Sequence, residues 1–586
     1  MKTGSKILTH LHSQRAALSI LFLVIVGFSF SVFSSDFYTK GEPREAIVAQ
    51  TMIETGDYIL PTVYASEFAY KPPMTHWLMA GFAQMLGSEV TPEIARLPIA
   101  LALLTLVIAS FTFFNSRVRF RTSYLAALIL LTSFEVHRTG QEARVDMILT
   151  MFMVLALFQL FKWEEQKKLF GIPVLATLLI SCGILTKGPV ALVLPMLIFA
   201  IYLLLFKQYN LWKIIRALLI PSLLSLFIPA LWYFEAWKIG GDKFLLLHFG
   251  ESISRFFHIE TGELWYPLGH ERPLYQPILF LLSGVLPWSL LIFFVPWWKK
   301  ELFQQNPTGE ERLSNMRLPF INGWRKVHLF SMVAIVVTLV FFMIPSSKRS
   351  VYLLPLYPFL SLVLAELLQQ MVHSARKSLI AFSYLISFIG FVATIGFILI
   401  ISGGYQSLIP AKHHPAIYEL RSGMLDNLPL SVLLIFGLFI SVLSTFYQSY
   451  RKGYTKLAYC TILIMFFINL NIDGPMMMGF KEQHSAKRFA SVIQPIMLNH
   501  PADVYTVSRL KEGIYNLYGL AYYAQITPKD FEVEKPKEGY FIVWEKNLEE
   551  VQKRFLSDYD VTLVASDTAP IQEGGIQLLL WIKQKK

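Results

Sequence analysis

Between Asp36 and Trp77 the chain reads DFYTKGEPREAIVAQTMIETGDYILPTVYASEFAYKPPMTHW, which sets Glu42, Arg44, Glu45 and Lys71 beside long apolar runs. Carboxylates next to Lys and Arg can take or orient a proton while an anion is held. The acid serves as general base, Arg grips a phosphate through two parallel N–H bonds, and Lys acts as a point charge. A second acid, Asp146, opens an apolar run in GQEARVDMILTMF, beside Glu142 and Arg144. A charge at the bilayer centre costs roughly 2.5–3.5 kcal/mol and less near the interface, so an acid at the mouth of a span is tolerated but informative. Its plainer reading is a helix N-terminal Asp stabilised by the dipole. More cations sit in connections between apolar runs: Lys187 in LTKGPVAL, Arg255 and Arg272 in a longer loop, and Lys348 and Arg349 in MIPSSKRSVYLLPLYP. Any one of them could snorkel to lipid headgroups, and Glu251 with Arg255 could be a simple i,i+4 pair. As a set, with the acids, they point to a site for a phosphate-bearing ligand.

The elements that must position these residues are membrane helices. Of 586 residues, 54% are hydrophobic and 16% charged, and many apolar runs reach the roughly 18–20 residues that cross a bilayer as a helix. The fold class expected is a polytopic α-helical membrane protein with about thirteen spans. They fall near 17–35, 94–115, 123–137, 146–162, 171–186, 189–206, 217–236, 276–298, 328–345, 350–371, 379–402, 429–448 and 456–471. Alternate connections carry Arg117/Arg119/Arg121, Lys167/Lys168, Lys207/Lys213/Arg216, Lys299 through Lys326, Arg376/Lys377 and Arg451/Lys452/Lys456. By the positive-inside rule these are cytoplasmic, which places the N-terminus inside and the reactive loops and C-terminal tail outside a cytoplasmic membrane. The net charge of +12 is thereby explained without a nucleic-acid partner. Ala16–Phe33 follows a basic segment and reads as a retained first helix. Two apolar stretches of the first outer loop, Ile47–Ile53 and Thr75–Leu86, are too short to span and read as helices lying at the interface. Trp77 and Trp232 near span ends read as interfacial anchors.

After about Asn471 the pattern changes. Strand-like runs at Val504–Val507, Tyr540–Trp544, Val561–Ala565 and Gln577–Ile582 alternate with helix-like Ala486–Leu498 and Leu548–Phe555, so residues 473–586 read as a small α/β domain outside the membrane, and 1–472 as the membrane domain. Cys182 and Cys460 both lie in apolar runs, so no disulfide framework is indicated. His248, Glu251, His258 and His270 share one loop without the spacing of a metal site. HExxH, GxSxG and P-loop patterns are absent, which leaves hydrolytic and ATP-driven chemistry unsupported.

In order and combination, these motifs resemble the membrane-embedded GT-C glycosyltransferases of the protein mannosyltransferase and lipid A aminoarabinose transferase group. That group opens its first outer loop with Asp-Glu-x-Arg-Tyr-Ala, then a Gly-Asp-Trp stretch and a Lys-Pro before a Trp. The counterparts here are Gly41-Glu42-Pro43-Arg44-Glu45-Ala46, Gly56-Asp57-Tyr58, and Lys71-Pro72-Pro73 with Trp77. RVDMILT aligns the acid of the fourth span on Asp146, and LTKGPVALVLP, Leu286–Ser289 and SSKRSVYLLPLYP are also similar. The resemblance implies sugar transfer, with inversion, from a polyprenyl-phosphate-linked donor to a lipid, glycan or protein acceptor at the outer face. It casts Glu42 and Asp146 as catalytic carboxylates, and Arg44, Lys71 and Lys348, backed by Arg255 and Arg349, as ligands of the donor phosphate. No resident cofactor is implied, and a divalent cation is left open. One departure stands out: the group's leading acid falls on Gly41. A transporter or flippase of a lipid-linked or anionic substrate is the rival class, but such proteins favour midplane broken helices and repeated halves, and no duplication is visible in the sequence.

Overall fold

The computed structural model describes residues 35–257, 272–294 and 326–585 apart from short gaps (40, 64–66, 70, 207–208, 508, 511–512, 515–516 and 571–574), with scattered positions between 14 and 33. Among the described residues, 8 helices are long and apolar enough to cross a membrane, and a ninth arises if Gln276–Gly284 and Trp288–Phe294, bent by 100°, count as one span. Shorter apolar helices at Phe120–Thr132, Val174–Lys187 and Val190–Phe206 stand with them. The first expected span, 17–35, falls largely outside the described residues.

Two expected spans are interrupted. Residues 276–298 were expected as one span; here the helix stops at Gly284 and resumes as a tighter turn from Trp288. Pro287 offers no N–H and disfavours helical geometry at the residue before it. The span expected at 123–137 ends at Thr132, where Ser133 takes extended dihedrals and a short helix, Phe134–Thr139, begins.

Five helices of the membrane part position the site. α1 (Gly41–Thr55) and α2 (Met74–Leu86) are the two non-spanning helices of the first loop. α1 buries Ala46, Val48, Ala49 and Met52, while α2 starts after Pro73 and stops at Gly87, whose φ of 63° is left-handed. α3 (Pro92–Asn115) is capped by the Thr91 hydroxyl on the Ile94 N–H and has Pro in its first turn, both standard start signals. α4 (Val145–Lys167) begins at the loop that carries Glu142 and Arg144, and the end of α5 (Val174–Lys187) returns to it through Lys187 and Asp146. The share of the most apolar window that is buried separates central from peripheral helices. It is 72% for α4 and 28% for Arg376–Ser402, so Asp146 is carried by the more enclosed helix. With lipid as apolar as the side chains, such helices associate by close packing, here through stacked Phe113 and Phe158 at 4.0 Å and edge contacts to Phe114 and Phe359.

The C-terminal part is a five-stranded mixed sheet. Its strands are β1 (Val504–Thr506), β2 (Lys529–Asp530), β3 (Glu538–Trp544), β4 (Tyr559–Ser566) and β5 (Gln577–Gln584), in the order β2-β1-β3-β5-β4. β1 is parallel to β2 and β3, and β5 is antiparallel to β3 and β4. The four strand-like runs and both helix-like stretches expected there are present. Edge strand β2 and helix α6 (Tyr518–Ala524) had no sequence signal: two residues carry no alternation, and YGLAYYA is too short for a helical period.

Candidate active site

The first loop is locked by one buried ion pair. Glu42, 2% exposed, accepts from Arg96 Nε at 2.8 Å and from the Ala143 N–H at 3.1 Å through Oε1. Its Oε2 accepts from the Thr39 hydroxyl at 3.3 Å. Arg96 also donates to the Ser35 carbonyl at 2.6 Å, the Ser35 hydroxyl at 3.0 Å and the Asp36 carbonyl at 2.9 Å. Burial pushes the Glu42 carboxyl up, but the Arg96 charge and hydrogen bond, with the Ala143 N–H, outweigh it and hold the group below the usual carboxylate range. Glu42 thus ties together the start of α1, α3 and the loop that leads to α4.

A charge ladder runs beside it. Glu135 Oε1 pairs with Arg138 Nη2 at 2.8 Å, and Arg138 Nη1 with Glu142 Oε1 at 2.7 Å. Arg144 lies 3.9 Å from both Glu142 Oε2 and Asp146 Oδ2. Lys187 Nζ closes the ladder on Asp146 Oδ1. Burial pushes the Glu142 carboxyl up, more than the Arg138 and Arg144 charges bring it down. Asp146 is buried, with one oxygen held by Lys187 and the other 3.9 Å from Arg144 Nε. Lys187 ends α5, where a cation suits the helix dipole; Gly188, at φ 84°, makes the turn, and the Tyr352 ring lies 4.7 Å from the ammonium.

The expected phosphate ligands are not equivalent. Arg44 sits on α1, with Nη2 and Nε donating to Glu45 Oε1 at 2.6 and 3.3 Å, and its guanidinium 6.0 Å from the Tyr518 ring. Lys71 is half-buried at the turn that leads into α2. Arg349 lies at the start of the turn Ser350–Leu356, near enough for its charge to act on Asp146. Lys348 instead is 5% exposed and donates to the carbonyls of Arg272 at 3.0 Å and Pro345 at 2.5 Å. Burial lowers its pKa, and the geometry gives it a loop-closing task. Arg255 lies on the backbone of the helix Phe227–Phe257, with its side chain outside the described residues, as are His258 and His270. Trp77 and Trp232 each donate to a loop carbonyl, of Tyr58 at 2.7 Å and Ile59 at 2.9 Å, which brings α2 and that long helix onto the first loop. His248 is buried and contacts the Ala69 carbonyl at 2.7 Å. Among the described residues no three His, Cys, Asp or Glu side chains are grouped to hold a metal ion.

The C-terminal part closes one side of the site. The Tyr523 hydroxyl accepts from the Phe37 N–H at 2.7 Å, Tyr522 donates to the Val90 carbonyl at 2.8 Å, and Lys487 pairs with Asp36 at 3.0 Å. Ala521 packs into an apolar cluster with Ile47, Val48 and Met52 of α1. Lys481 adds a charge that acts on Glu42 and Glu142. Sequence reasoning missed Arg96, His76 and Lys481. A lone Arg in an apolar run was a usable signal for the first, whereas His76, which pairs with Glu45, and Lys481 had none.

A model of the Dolichyl-phosphate-mannose-protein mannosyltransferase family matches residues 49–248. An uncharacterised protein of Aquifex aeolicus is 25% identical over 62% of this chain and 66% of its own. The undecaprenyl phosphate-alpha-4-amino-4-deoxy-L-arabinose arabinosyl transferase 2 of Proteus mirabilis is 24% identical over 80% of each chain. Against the crystal structure of ArnT from Cupriavidus metallidurans bound to undecaprenyl phosphate, the fold superposes with a TM-score of 0.67 at 16% identity, covering 99% of this chain and 98% of that one. The chain thus shares its fold with that transferase structure and resembles, over residues 49–248, the protein mannosyltransferase family.

Proposed function

We propose that this chain transfers a sugar from a polyprenyl-phosphate-linked donor to a lipid, glycan or protein acceptor at the outer face of the cytoplasmic membrane. The observation that carries the reading is Asp146: an enclosed carboxylate with one oxygen anchored by Lys187 and the other 3.9 Å from Arg144, at the point where α4 meets the loops. In the reaction, Oδ2 of Asp146 orients or deprotonates the acceptor oxygen, which attacks the anomeric carbon from the face opposite the phosphate, inverting it. The bond from that carbon to the phosphate oxygen breaks, and its electron pair leaves with the polyprenyl phosphate. Arg44, Lys71 and Arg349 meet the developing charge, which fixed cations stabilise strongly where water is scarce. Glu42 holds the loop in shape through Arg96, and Lys348 supports the turn that presents Arg349. The donor's apolar tail stays in lipid while its headgroup reacts among the loops, which is why acids and cations share one end of the bundle. In support, related transferases named for undecaprenyl phosphate-linked aminoarabinose align over most of the chain.

Replacing Arg44 or Lys71 by Ala is expected to weaken binding of undecaprenyl phosphate by roughly tenfold or more each, as loss of a charge-assisted hydrogen bond should. Titration of the purified chain with undecaprenyl phosphate, read by native mass spectrometry, checks this. Unchanged affinity in both variants would move the phosphate elsewhere.

A further inference from the structure

Away from the reacting loops, a groove opens between two helices that take no part in the chemistry proposed above. One wall is Phe120–Thr132 and the other Tyr454–Asn471. Leu128 and Leu131 line the first wall, Ile462 and Phe466 the second, and Leu23 closes one side. On each helix the lining positions recur at three- and four-residue intervals, so each wall is one helix face. The cavity measures about 270 Å³, below the roughly 300–1,000 Å³ of sites that enclose a whole small molecule, and suits one hydrocarbon chain. Leu463, which also lines it, is 40% exposed, so the groove opens to the surrounding lipid.

Its polar end is built twice, once on each wall. Arg121 precedes Tyr124, and Lys456 precedes Tyr459, by the spacing that puts both members of each pair on one helix face. The two tyrosine rings meet with centroids 6.0 Å apart, and Arg121 is close enough for its charge to act on the Tyr459 hydroxyl. The two patterns therefore meet across the groove. The Tyr124 hydroxyl lies 2.9 Å from that of Ser19, a contact that leaves hydrogen-bonding capacity on the tyrosine. Arg121 and Lys456 are exposed, and neither is in an ion pair among the described residues. Two cations beside two tyrosine hydroxyls offer a phosphate diester both charge and hydrogen bonds.

The positive-inside rule assigns both basic connections to the cytoplasmic side, whereas the donor headgroup is proposed to react at the opposite end of the bundle, beside Asp146. A lipid whose phosphate lies at Arg121 belongs to the inner leaflet, where basic pockets between helices attract anionic headgroups. We propose that the groove holds one anionic phospholipid of the cytoplasmic leaflet, its phosphate at Arg121, Lys456 and the two tyrosine hydroxyls, and one acyl chain along Leu128, Leu131 and Phe466. The site stands apart from the transfer reaction and does not depend on it.

The experiment takes the full-length chain in mild detergent and titrates it with dioleoylphosphatidylglycerol, dioleoylphosphatidylcholine or undecaprenyl phosphate, counting retained lipids by native mass spectrometry. Wild type should retain one phosphatidylglycerol about tenfold more tightly than phosphatidylcholine. Arg121→Ala and Lys456→Ala should each weaken it about fivefold, the worth of a basic residue beside an anionic headgroup. Leu463→Trp, which fills the groove, should weaken it with both cations in place. Arg119→Ala with Arg451→Ala removes two exposed cations from the same connections and should change nothing. Equal retention of the two phospholipids overturns the proposal. So does an equal loss in the Arg119/Arg451 control, which would mean general attraction to a basic surface. Undecaprenyl phosphate that displaces phosphatidylglycerol at equal concentration, and is lost in the same variants, gives the groove to the donor's tail and overturns it too. Should Leu463→Trp not fold, the comparison of the four exposed cations decides.

Discussion

Asp146→Asn is expected to lower sugar transfer by about 10²–10⁴-fold while the protein stays folded, the range over which a positioned acid or base acts. Asn keeps the shape and can still accept from Lys187, so the loss reports the negative charge and its basicity rather than packing. The ladder determines why the charge matters. Asp146 lies between two cations, with Lys187 Nζ on one oxygen and Arg144 Nε 3.9 Å from the other, and Arg349 acts on it from the turn opposite. Removing it leaves three cations around one site without their shared anion. The variant should then hold undecaprenyl phosphate at least as tightly as wild type, a net positive site being more attractive to an anion, while transfer collapses. Parallel measurement of binding and turnover reads both. Retained turnover would place the acid elsewhere in the loops.

The second large effect is structural. Arg96→Met is expected to destabilise the protein by about 3–5 kcal/mol, the cost of stranding one partner of a buried ion pair. Arg96 is 2% exposed and serves Glu42, the Ser35 carbonyl and hydroxyl, and the Asp36 carbonyl. Its loss leaves the buried Glu42 carboxylate without its cationic partner, with only the Ala143 N–H and Thr39 hydroxyl, and takes a donor from two carbonyls. Thermal unfolding in detergent checks the drop, and a melting temperature equal to wild type would contradict it. The same pair gives a pH signature. Because the folded-state pKa of Glu42 is depressed, its contribution to stability is present above the unfolded value of about 4.3 and is lost as pH falls through the lower folded value. Wild type should therefore lose stability below about pH 4 more steeply than Glu42→Gln, whose amide does not titrate.

Most of the architecture was legible because apolar runs of bilayer length have few alternative folds. The breaks were less so. Pro287 and Ser133 interrupt runs whose hydropathy is continuous, and hydropathy alone does not register a bend. The candidate site could be proposed from residue types and loops, but its pairings could not. Asp146, Arg44 and Lys71 were picked out as charges that topology does not demand. The pairing of Glu42 was not legible, because its partner, Arg96, lies inside an expected span 54 residues away. Lys348 looked like its neighbour Arg349, yet the fold turns its ammonium onto backbone carbonyls, a choice set by loop geometry that no local pattern encodes. Lys187 appeared as one cation among several and is the direct partner of Asp146. The contribution of α6, which brings Tyr518, Tyr522 and Tyr523 against the first loop, depends on a contact across more than four hundred residues.

The central claim, that the donor's sugar–phosphate bond is broken here, is tested most directly in sealed vesicles containing the full-length chain and a radiolabelled undecaprenyl-phosphate sugar, with candidate lipid acceptors in the same membrane. Mass analysis of the lipids after incubation should find free undecaprenyl phosphate and a glycosylated acceptor in equal amounts, and neither with Asp146→Asn. Intact donor moved to the opposite leaflet, with no undecaprenyl phosphate released, would contradict the account and make the chain a transporter.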